Sequence, residues 1–77
     1  VRSYRTRAAV LAAHFAAMAG REPQARETPE VIRIEVAMPV RLSEPGRRAL
    51  LSALADADRY GHDITVDGAT VWAEIDR

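Results

Sequence analysis

Apolar residues near the start of the chain recur at Tyr4, Ala8, Leu11, Phe15 and Met18. Steps of three and four place them on one stripe, so residues 3–19 read as a helix. Ser3 or Thr6 caps its start, and Gly20 can end it in the left-handed conformation. A second row, Ala9, Ala13 and Ala17, would let another helix approach closely, by analogy with small-residue rows in membranes. The periodicity then stops. Residues 21–30 are polar and hold Pro23 and Pro29, which predicts a linker that tethers the helix.

Alternation takes over at residues 31–42, where Ile32, Ile34, Val36, Met38, Val40 and Leu42 share one parity, as in a strand with one buried face. Pro39 removes a ladder donor and suits an edge or a bend. A second helix is expected over 44–60, with Ser43 as N-cap, Pro45 in the first turn and Gly61 just past the end. Its apolar stripe is Leu50, Leu54 and Ala57, widened by Leu51, Ala53 and Tyr60. Residues 62–67 and 69–76 read as a hairpin about Asp67-Gly68, a strong type I′ pair. That turn would set Val66 against Ala69, Thr65 against Thr70, Ile64 against Val71 and Asp63 against Trp72.

The expected fold is α+β. An Ala-rich helix (1–20) and a Pro-containing linker (21–30) precede a β-α-β-β domain (31–77). Its three-stranded antiparallel sheet, in order 1-3-2, packs on one helix. No internal repeat is visible in the residues.

Composition narrows the class of protein. The 77 residues allow one domain, and a domain of this size buries a modest share of its chain. With no cysteine to form disulfides or thiolate metal sites, association with other chains is the device left to reinforce the core. Basic and acidic residues number 11 each, so no global charge points to nucleic acid or an anionic membrane. All the basic residues are Arg, and Lys and Asn are absent, usage expected of a GC-rich bacterial genome, in which Val1 would be a GTG start. No apolar run is long enough for a membrane span. The absence of cysteine fits a cytoplasmic location. The alternative is secretion: Arg2, Arg5 and Arg7, the run from Ala8 to Ala19, and Ala17-Met18-Ala19 have the outline of a signal segment over 1–19.

Chemistry-bearing patterns are sparse. His14 and His62 have no companion at ligand spacing, and Ser3, Ser43 and Ser52 lie in no nucleophile motif. No glycine-rich phosphate loop is present. The expectation is a protein without catalysis, cofactor or metal. Two basic groups remain as possible anion or phosphate contacts: Arg2, Arg5 and Arg7, and Arg47 with Arg48 in the first turn of the second helix. Trp72 falls on the polar side of the hairpin, and an exposed Trp marks a contact surface. Either the first helix folds back over it or a partner covers it. Tyr4, Leu11, Phe15, Met18 and Trp72 are therefore the expected self-association or partner contacts. The functional expectation is a small self-associating interaction or regulatory module, a homodimer. The alternatives are a nucleic-acid-binding accessory factor of plasmid, phage or toxin–antitoxin type, and a small-ligand binder or secreted domain.

Overall fold

The computed structural model describes residues 3–39 and 41–77; the expectations placed on Val1, Arg2 and Val40 lie outside them. Helix α1 (Tyr4–Ala19) starts where Ser3 Oγ accepts the Thr6 N–H and ends at Gly20, at φ 68°. Its expected stripe is the buried one. Ala8, Leu11 and Phe15 enter the core, with Tyr4 and Met18 partly buried at either end. The Ala9, Ala13 and Ala17 row faces outward instead.

The presumed linker contains a strand. β1 (Gln24–Glu27) pairs antiparallel with β2 (Val31–Met38), setting Gln24 opposite Glu35 and Glu27 opposite Ile32. Pro23 and Pro29 flank β1 rather than interrupt it, so its backbone donors are intact. β2 buries Ile32, Ile34, Val36 and Met38. It stops at Met38 rather than Leu42, just before Pro39, which has no N–H to continue the ladder.

Helix α2 (Glu44–Leu54) begins as expected, with Ser43 Oγ accepting the Gly46 N–H at 3.1 Å. It ends six residues earlier than the sequence suggested. The Asp56 and Ala57 N–H groups donate to Ala53 and Leu54 carbonyls at 3.2 and 3.0 Å, a tightening that closes the helix. The Asp58 N–H already reaches the Glu74 carbonyl, 2.9 Å away. Arg59, Tyr60 and Gly61 accordingly belong to β3 (Arg59–Thr65), and Gly61 sits inside a strand instead of capping a helix.

β3 and β4 (Gly68–Asp76) complete a four-stranded antiparallel sheet in order β1-β2-β4-β3. The expected 1-3-2 arrangement survives as β2-β4-β3, with β1 added outside β2. Two helices rather than one contribute to the core on the sheet's apolar face.

The hairpin register differs from the expected one by two residues. Thr65 opposes Gly68, Ile64 opposes Ala69, Asp63 opposes Thr70 and Gly61 opposes Trp72. An even slip keeps each side chain on its face but changes every neighbour. The cause lies in the turn. Type I′ needs Asp67 at positive φ, yet among the described residues only Gly20 and Gly68 have one. The Thr65 hydroxyl instead accepts the Asp67 N–H at 3.2 Å and donates to the Gly68 carbonyl at 3.3 Å. The turn therefore falls on Val66-Asp67, with Val66 wholly exposed.

The same device closes the first hairpin. The Thr28 hydroxyl accepts the Glu30 N–H and donates to the Val31 carbonyl, both at 3.3 Å. The pair Gln24–Glu35 maps onto Gly61–Trp72, and Glu27–Ile32 onto Ile64–Ala69, always 37 residues further along. Inward positions correspond too: Ile32, Ile34, Val36 and Met38 match Ala69, Val71, Ala73 and Ile75, all buried. The fold is thus an α-β-β unit used twice and joined through β2 and β4. Sequence inspection finds no repeat because Thr28 and Thr65 are the single identity across residues 24–38 and 61–75. What recurs is a turn and an alternation.

Candidate functional site

The sheet face away from the helices carries an ionic lattice around one aromatic ring. Trp72 is half-buried, opposite Glu35 on β2 and Gly61 on β3. Its indole lies against the Gly61 backbone, where there is no Cβ. The Arg33 guanidinium stacks 4.3 Å from the ring centroid, an intramolecular cation–π contact. Arg33 also pairs with Glu35 at 3.5 Å and Glu74 at 3.3 Å. Glu74 takes a second hydrogen bond from Arg59 at 3.0 Å, and Arg59 continues to Asp76. The cover expected over Trp72 is therefore Arg33; α1 lies on the other face.

Two acids titrate low, Glu74 within this lattice and Asp58 beside the end of β4. The Asp76 backbone N–H, donating to Asp58 at 2.7 Å, lowers the Asp58 pKa, with Arg7 and Arg59 adding to the effect. The hydrogen bond from Arg59, then that from Arg33, lowers the Glu74 pKa. The carboxylates of Asp76 and then Glu74 raise the Arg59 pKa. Because both acids titrate lower when folded, their stabilisation is complete above about pH 4.5 and lost as pH falls through the folded values. The double variant Asp58→Asn, Glu74→Gln should be less stable than the wild type at pH 7. The difference should shrink toward pH 3, as urea titrations at each pH would show.

The candidate anion contacts among the described residues are spread over α1 and α2. Arg5 reaches Glu27 at 3.9 Å. Arg7 donates to the Asp56 carbonyl at 2.7 Å and pairs with Asp58 at 3.6 Å. Arg48 pairs with Glu44 at 3.9 Å within α2. Arg47 makes no ion pair among the described residues. Three of these cations pair with acids of the same chain. Among the described residues no group of three His, Asp or Glu could hold a metal ion.

The expected contact residues are likewise engaged within the chain. Leu11 and Phe15 are core. The Tyr4 hydroxyl accepts from Arg77 at 3.2 Å, and its ring lies beneath Arg5 and Arg77. Met18 packs against the core.

What stays open lies elsewhere. Leu51 is 49%, Tyr60 54% and Ile64 62% exposed. Tyr60 and Ile64 point to the helix side of β3, which neither helix covers. A groove of about 250 Å³ between α2 and β3 is lined by Leu42, Arg47, Leu50, Leu51, Tyr60 and His62, among others. Assigning Tyr60 to a helix hid this surface. The alternation Tyr60, His62, Ile64 against Gly61, Asp63, Thr65 was the available clue. Comparisons with protein-family models, curated proteins and solved structures give no match. Among the described residues no helix is long and apolar enough to cross a membrane.

Proposed function

We propose that this chain is a non-catalytic interaction module that self-associates through the flank formed by β3 and α2. The observation that carries the reading is the run of uncovered apolar side chains, Leu51, Tyr60 and Ile64, beside an outer strand. Grouped apolar side chains of this kind mark contact surfaces. A domain of this size also gains disproportionately from added burial. The contact is assigned to β3 and α2 rather than α1, because Leu11 and Phe15 are spent inside the protomer.

Sedimentation velocity at high-micromolar concentration tests the reading. The wild type should sediment as a dimer. Leu51→Glu and Ile64→Lys should each sediment as a folded monomer with unchanged circular dichroism. A wild-type chain that remains monomeric removes the proposal.

A further inference from the structure

The two outer strands hold equivalent places in the two α-β-β units, yet their edges are finished differently. β1 has four residues, and Glu27 on its helix side is held by Arg5 and by Arg77, the latter at 3.7 Å. A short, charged edge discourages pairing with another chain. β3 has seven residues in unbroken register, with no proline, no lysine and no bulge. Ile64 stands where Glu27 stands in the first unit, and it is open to water. The protection applied to one edge is missing from the other.

Building on the self-association proposed above, we infer that β3 pairs antiparallel with β3 of a second copy about a two-fold axis at His62. Two four-stranded sheets would then join into one of eight strands. His62 is the midpoint of residues 59–65, so this register uses the whole strand. On the helix side it sets each Tyr60 opposite the other copy's Ile64, an aromatic–aliphatic pair made twice. On the open side it sets Arg59 opposite Thr65 and diagonal to Asp63, within reach of a charge contact. Asp63 has no ion pair among the described residues. Gly61 faces Asp63, leaving room for the indole beside it.

Neighbouring registers fit less well. Centring on Asp63 opposes two carboxylates directly, which is destabilising. Centring on Gly61 sets Ile64 against Asp58. The zero formal net charge leaves no overall repulsion between copies.

The chain has no cysteine, so single cysteines report the register cleanly. Directly opposed residues in an antiparallel pair have Cα atoms about 4.5–5.5 Å apart, within disulfide range. Under mild oxidation, His62→Cys should convert to a linked dimer, with Asp63→Cys about ten-fold less linked. An equimolar mixture of Tyr60→Cys and Ile64→Cys should favour the mixed disulfide over either homodimer. All four positions are exposed, so the substitutions leave the core intact. If the wild type is a dimer but His62→Cys links no better than Asp63→Cys, the strand pairing is wrong while self-association stands. If the wild type is a monomer, both readings fall.

Discussion

Phe15→Ala should remove a large share of the protein's stability. Phe15 is 0% exposed and belongs to the core cluster with Leu11, Ile34, Leu50 and Val71. Truncating a buried Phe to Ala costs about 3–5 kcal/mol, counting lost transfer energy and the cavity left behind. A domain of this length has only about 4–12 kcal/mol in total. Urea titration followed by far-UV circular dichroism should show the transition shifted sharply to lower denaturant. Met18→Ala, at a half-buried position near the end of the same helix, should cost well under half as much. A loss below about 1 kcal/mol for Phe15→Ala would mean that α1 is not seated on the sheet as described.

Gly61→Val should lower stability and shift tryptophan emission to the red. Valine suits a strand better than glycine, so on propensity alone the change would stabilise. Gly61 does not have positive φ, so the backbone makes no objection. The contact with Trp72 reverses the sign: a Cβ at Gly61 would lie 2.6 Å from the indole Cζ2. The ring must swing away, losing its bed on β3 and its stacking with Arg33. Overpacking of this kind costs about 1–3 kcal/mol. Trp72 is the one tryptophan, so fluorescence reads its environment without ambiguity. A stabilised variant with unshifted emission would show that the indole does not lie on Gly61.

Elements marked by side-chain periodicity were readable in the sequence, and those set by backbone choices were less so. The α1 stripe, both serine caps, the left-handed Gly20 and the inward row of β2 are where the residues indicate. β1 was missed because four exposed residues between two prolines carry no alternation; only the backbone ladder makes them a strand. The end of α2 was missed because no glycine or proline stops it, while Gly61 seven residues past Leu54 offered a more conventional stop. The hairpin slipped because Asp-Gly competes with a threonine turn one residue earlier, and here the threonine turn forms. These last two errors together misplaced Tyr60 and the neighbours of Trp72. The exposed flank was consequently invisible.

The doubled α-β-β plan also bears on how the chain assembles. Each hairpin closes through two residues, Pro29-Glu30 in one and Val66-Asp67 in the other. Such short loops lose little entropy, so both can form within their own stretch of chain. β2 and β4 can meet only across everything between Met38 and Gly68, the dearer closure. On loop closure alone, the slow step is expected to be the pairing of β2 with β4 along a seam of Ile34, Val36, Val71 and Ala73, so substitutions in that strip should slow refolding more than equally destabilising ones in either helix.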